Sequence, residues 1–270
     1  DGIRDVERSR GLGDVYKRQA LDSDIFLPDV PIDIPRRLNL NNKIIVDSKN
    51  HERLTPKEII AVSSQVGASK IALELGYEKL KRNYYDFGFT KPISINFPSS
   101  TFGYMNIKES VSDSELASLG YGYGITMSPF QIASAYSVFA NDGEYKDFQL
   151  LKNEEVTSRK IISSYSASNV LEALKKVVKD GTGKAAEIKG FSEGGKTGTV
   201  HKIKKGSGYA QDSYRASFIG IAPLSDKSLT IFVSIDEPGL NSYTGGSVAA
   251  PVFAKIAESS LNHLGYFEDE

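Results

Sequence analysis

Three runs in the last third of the chain, 197–203, 216–221 and 229–235, constrain the fold most. Each is rich in β-branched and aromatic residues, and short polar turns at 204–208 and 225–226 separate them. Strands joined by turns that short suit an antiparallel meander. Helical patterns stand before the meander and one helical pattern follows it. Helices, then hairpins, then a helix predict an α/β fold, an antiparallel sheet flanked by helices.

The first helical start is at Thr55-Pro56-Lys57-Glu58. Thr55 can cap, proline suits the first helical position, and Glu58 completes a capping box. Ile59, Ile60 and Val62 supply its apolar surface. The helix runs into the step Ser63-Ser64-Gln65-Val66-Gly67, and a second helix carries Val66, Ile71, Leu73 and Leu75 to Gly76. A third covers 77–87, with Leu80, Tyr84 and Phe87 on one side. Ser128-Pro129-Phe130-Gln131 repeats the cap-plus-proline start for a helix that stops at Asn141-Asp142-Gly143. Two more helices are expected at about 168–180 and at 248–264, the second with Val252, Phe253, Ile256, Ala257 and Leu261 on one face. The stretch 20–50 is extended, with a short strand at 43–46. Loops are expected at 91–103 and 120–124.

The chain of 270 residues carries a net charge of -1, which gives no electrostatic pull toward nucleic acid. It has no cysteine, which excludes disulfides, Fe–S clusters and thiolate metal sites. His51, His201 and His263 are too far apart in sequence to form a ligand spacing. No apolar run reaches the roughly 18 residues a membrane span needs, and no signal peptide or internal repeat is visible. Residues 1–19 differ from the rest: they are dense in charge and have no apolar period. They read as a non-native or disordered segment, leaving 20–270 as the domain.

One stretch inside the meander carries chemistry: Gly194-Gly195-Lys196-Thr197-Gly198-Thr199. A strand beginning this way can present an ammonium, hydroxyls and a side-chain-free glycine on one edge, enough to hold a carboxylate. The same residues formally match a P-loop, since Gly190 to Thr197 fit G-x-x-x-x-G-K-[ST]. A P-loop needs a buried strand before the glycines and a helix opening at Lys196-Thr197. Before the glycines stands a charged run, and after them Gly198, Val200, Ile203, Gly206 and Gly208 do not favour a helix. The P-loop NTPase is therefore a distant third reading.

Several stretches together resemble the penicillin-binding proteins, most closely their class B, division-type transpeptidases. Ser63-Ser64-Gln65-Val66-Gly67 looks like their Ser-x-Asn element, and Lys196-Thr197-Gly198-Thr199 like their Lys-Thr-Gly element. The segments 122–143, 217–223 and 245–253 are also similar, so the resemblance covers the chain from Ala20 onward. It departs twice. Gln65 stands where the family has asparagine, which keeps the amide and adds a methylene. No serine stands three residues before a lysine anywhere in the sequence, so the nucleophile motif Ser-x-x-Lys is absent. In the family that motif lies shortly before the stretch matching Ala20-Leu21, so the domain is expected to be N-terminally truncated just after it. The competing reading is a non-catalytic scaffold or binding member of the same fold.

The resemblance implies a serine-type D-Ala-D-Ala transpeptidase that cross-links peptidoglycan stem peptides and binds β-lactams, with no cofactor and no metal. It assigns catalytic roles to Ser63, Lys196 and Thr199, and substrate binding to Gln65, Thr197, Gly198 and Thr199. It also implies cell-division membrane proteins as partners. The domain would sit on the periplasmic face of the inner membrane, with its anchor outside this chain.

Overall fold

The computed structural model describes residues 7–8, 26–41, 43–90, 103–151, 155–204, 208–225, 227–239 and 241–266. Most of segments 1–19 and 91–103, and parts of the expected turns at 204–208 and 225–226, lie outside them. Glu7–Arg8 (β1) pairs antiparallel with Thr126–Met127.

The extended N-terminal third makes two small hairpin-like pairings. Ile32–Asp33 (β2) pairs with Arg53–Leu54, and Leu38–Leu40 (β3) pairs with Lys43–Ile45 (β4). After Arg53–Leu54 (β5) three helices follow in close succession: α1 (Pro56–Val62), α2 (Gln65–Leu75) and α3 (Tyr77–Asp86). The Thr55/Glu58 capping box forms as the sequence predicts. Helix α4 (Asp113–Leu119) was not anticipated, although Ser112 and Glu115 form a capping box at its start. Then come β6 (Thr126–Met127) and α5 (Pro129–Ala140), again with its box, Ser128 and Gln131. Glu144–Lys146 (β7) and Ser158–Lys160 (β8) pair in a further hairpin that the sequence reading also passed over.

Helix α6 (Ser164–Lys179) begins four residues before the expected 168, because Ser163 is the cap and its Oγ accepts from the Ser166 N–H at 3.1 Å. The meander forms as β9 (Gly194–Lys204), β10 (Gly208–Ala222) and β11 (Leu229–Asp236), in the spatial order β11-β10-β9. Gly245–Ala249 winds as a π-helical turn, and the closing helix α7 (Ala250–Leu264) starts behind it, two residues later than the expected 248.

Both faces of the sheet are covered, which explains why the second half of β10, 216–222, reads as a nearly unbroken apolar run. Ile219 and Ile221 join the core built from α1–α6, with Ile59, Ile71, Tyr84, Tyr136, Phe139 and Leu174 fully buried. Phe218 and Ala222 face the other way, onto α7, where the Phe218 and Phe253 ring centroids are 5.0 Å apart. Among the described residues β9 is an edge strand. From it the Lys196 side chain reaches the junction between α1 and α2.

Candidate active site

That junction is the Ser63-Ser64-Gln65 step. Helix α1 ends at Val62, and Ser63 takes a left-handed conformation, φ 58° and ψ 41°. A non-glycine residue there costs about 1–2 kcal/mol. The Ser63 and Ser64 N–H groups close onto the carbonyls of Ile60 and Ile59 at 3.2 and 3.0 Å. Ser64 then caps α2, its Oγ accepting from the Gly67 N–H at 2.9 Å. Gly67 allows the two helices to meet so closely. A Cβ on it would lie 2.7 Å from two carbons of the Ile59 side chain.

The sheet supplies the opposite wall. Lys196 lies two residues into β9 and is 4% exposed. Its Nζ donates to Ser63 Oγ at 2.7 Å, across 133 positions of sequence, and to the Thr197 carbonyl at 3.1 Å. Burying an ammonium is costly unless hydrogen bonds compensate, and these two are part of that compensation. Ser63, Gln65, Lys196, Thr197 and Thr199 line one cleft of about 460 Å³. Thr197 Oγ1 lies 2.8 Å from Thr182 Oγ1, and Thr199 Oγ1 accepts from the Gly245 N–H at 3.0 Å. Gly198 is buried and does not line the cleft. What its missing Cβ makes room for is Ser217 Oγ, which that atom would approach to 2.5 Å, and Gly245 packs on the Gly198 backbone.

The structure thus brings five of the six expected positions around one space and sets Gly198 behind them. It also adds Tyr121, Thr182 and Thr244 to the lining, none of which the sequence reading had singled out. Thr182 sits in Gly181-Thr182-Gly183, just past the expected helix 168–180. Beyond Thr199 on the same strand, His201 packs on Tyr214 at 4.5 Å, and Tyr214 stacks on Tyr243 at 4.2 Å, next to Thr244. Another hollow, of about 580 Å³ near the end of α6, is lined by Lys175, Lys179, Lys184 and Lys189 and holds none of the motif residues.

An ammonium in contact with a hydroxyl can hand a proton along, and both can bind a carboxylate entering from the cleft. A P-loop is excluded by the same geometry. Lys196-Thr197 lies inside β9, where nucleotide phosphates would need a helix N-terminus.

A sheet covered on both faces, with a Ser-x-Gln step set against a Lys-Thr-Gly edge strand, is the arrangement the resemblance to penicillin-binding transpeptidase domains implies. The chain belongs to the penicillin binding protein transpeptidase domain family, which matches residues 18–258. It is 36% identical over 232 residues to the Pseudomonas aeruginosa protein named "Probable peptidoglycan D,D-transpeptidase PbpC", covering 85% of this chain and 41% of that one. It is 33% identical over 222 residues to the peptidoglycan D,D-transpeptidase FtsI of Buchnera aphidicola, covering 82% of this chain and 39% of that one. The apo transpeptidase domain of Burkholderia pseudomallei penicillin-binding protein 3 superposes with a TM-score of 0.91 at 31% identity, over 99% of this chain and 82% of that one. The chain therefore spans about two fifths of the length of the curated relatives it matches.

Proposed function

We propose that this chain is the substrate-gripping part of a peptidoglycan D,D-transpeptidase, acting on the acyl-D-Ala-D-Ala end of stem peptides. The observation that carries the reading is the 2.7 Å contact of Lys196 Nζ with Ser63 Oγ inside the cleft beside β9. In the full reaction a serine oxygen attacks the carbonyl of the penultimate D-Ala. The C–N bond breaks, terminal D-Ala leaves with a proton on its amine, and a second stem-peptide amine takes the acyl group from the serine.

Each residue has a part in that scheme. Lys196 attracts the terminal carboxylate and keeps the cleft positive. The Thr197 and Thr199 hydroxyls bond that carboxylate, and the Thr199 N–H is one donor of the oxyanion hole. Ser63 passes a proton toward the leaving or entering amine, and Gln65 holds the substrate amide. Gly198 acts from behind the cleft, letting β9 pack on Ser217 and Gly245 so that its neighbours Thr197 and Thr199 line the cleft. Gln65 reaches one methylene further than asparagine, and a displacement of about 1 Å can cost on the order of a hundredfold in rate.

The sequence holds no Ser-x-x-Lys, so these 270 residues grip substrate without turning it over. The same absence favours a second reading, a non-catalytic scaffold or binding member of the division machinery. Division membrane proteins as partners and a location on the periplasmic face of the inner membrane belong to both readings. No helix among the described residues is long and apolar enough to cross a membrane.

Calorimetry with acetylated L-Lys-D-Ala-D-Ala and its L-Ala-L-Ala counterpart, with a labelled-penicillin gel alongside, tests the proposal. Binding of the D,D peptide alone, with no label retained after denaturation, is expected. A covalently retained label would overturn the inactive assignment, and indifference to both peptides would leave the scaffold.

A further inference from the structure

Asp47 lies two residues after β4 and outside both motifs, yet its carboxylate takes hold of the residues that follow Ser63, namely Ser64, Gln65 and Val66. Its Oδ2 accepts from Ser64 Oγ at 2.5 Å. Its Oδ1 accepts from the Gln65 N–H at 2.6 Å and the Val66 N–H at 3.1 Å. An anion at the first turn of α2 satisfies donors that the helix itself leaves open. Ser64 alone could cap the helix through Gly67. What Asp47 adds is a fixed point outside both helices, next to two residues that line the cleft, the left-handed Ser63 and Gln65.

The hairpin that carries Asp47 is itself tied down. Lys43, at the start of β4, donates from Nζ to Ser118 Oγ at 2.7 Å. Its ammonium also lies over the rings of Tyr121 and Tyr123, at 5.4 and 5.7 Å from the centroids. Tyr121 lines the cleft, as does Ser48 beside Asp47. One short hairpin thus fixes a wall of the cleft with Lys43 and the serine step with Asp47.

We infer that Asp47 is a positioning residue for substrate binding: its carboxylate holds the Ser63-Ser64-Gln65 step so that Ser63 Oγ meets Lys196 Nζ and Gln65 faces the substrate. The functional half rests on the transpeptidase reading above, and the geometric half stands without it.

The experiment uses the whole chain with Asp47→Ala, Asp47→Asn and the control Ser163→Ala. Ser163 caps α6 at the end opposite Thr182, so its loss lowers stability without touching the cleft. Without ligand, NMR of Asp47→Ala is expected to show loss of the left-handed backbone shifts at Ser63 and movement of the Lys196 side-chain signals. Amide exchange at Gln65 and Val66 should quicken about tenfold, equivalent to roughly 1.4 kcal/mol. Acetylated L-Lys-D-Ala-D-Ala should bind about tenfold more weakly to Asp47→Ala. Asp47→Asn should fall between, because an amide oxygen still accepts from both backbone N–H groups. Ser163→Ala should melt earlier and bind as the parent does.

Unchanged Ser63 and Lys196 signals in a folded Asp47→Ala would overturn the inference, as would equal weakening by Ser163→Ala. If Asp47→Ala does not fold, Asp47→Asn carries both readouts. If the parent binds no peptide, the transpeptidase reading fails, and the ligand-free signals alone decide the role of Asp47.

Discussion

Gly245→Ala tests how the closing segment supports the cleft. A Cβ at that position would lie 2.2 Å from the Ser217 carbonyl oxygen, 2.5 Å from the Gly198 oxygen and 3.0 Å from the Gly198 nitrogen. All three are backbone atoms of paired strands, so none can rotate aside. Bringing the tightest contact out to 3.0 Å, a distance real Cβ atoms essentially never undercut, takes a retreat of about 0.8 Å. Overpacking of this kind costs roughly 1–3 kcal/mol. At about 2–4 °C per kcal/mol for a chain of this size, the melting point should fall by roughly 2–12 °C. The same retreat stretches the 3.0 Å bond from the Gly245 N–H to Thr199 Oγ1 beyond the roughly 2.7–3.2 Å range of such bonds. The Thr199 signals should move in the NMR spectrum and peptide binding should weaken. Gly239→Ala is the matched control, since nothing lies within 4 Å of its added carbon. A Gly245→Ala chain that melts with the parent and leaves Thr199 undisturbed would refute the reasoning.

Tyr84→Phe should cost roughly 1–3 kcal/mol in urea unfolding, because the buried Tyr84 hydroxyl donates to the Leu119 carbonyl at 2.9 Å and that acceptor would be left short of its donor. Glu115 offers a pH prediction. The Lys108 ammonium, with the Ser112 N–H and hydroxyl, holds its carboxyl down from 4.5 to about 2. Its folded value is depressed, so its contribution to stability is present above 4.5 and is lost as the pH falls from there toward 2. Carboxyl NMR should find a midpoint near 2, and Lys108→Met should raise it; a midpoint at the ordinary glutamate value would contradict the contact.

Much of the fold is written locally. The boxes at Thr55/Glu58 and Ser128/Gln131, and the β-branched runs of the meander, act through neighbours within four residues, so the sequence displays them directly. Helix α4 had the same kind of signal in Ser112 and Glu115, overlooked because its seven residues have too few turns to show a period. The site was legible only as two separate motifs. That Ser63 and Lys196 meet depends on how α1 and α6 pack against the sheet, which no local pattern encodes. Asp47 had no signal at all, because a lone aspartate after a short strand looks like any surface charge until the helix it caps is placed beside it. Gly198 shows the opposite limit. Its motif was correctly read, while the contact its missing side chain permits, with Ser217, depends on strand register.

The most direct test of the central claim is an NMR titration of the labelled chain with acetylated L-Lys-D-Ala-D-Ala. Shifts concentrated at Gln65, Thr197 and Thr199 that vanish in Lys196→Met are expected. Shifts clustered at the lysine-lined hollow near the end of α6, or shifts that survive Lys196→Met, would contradict it.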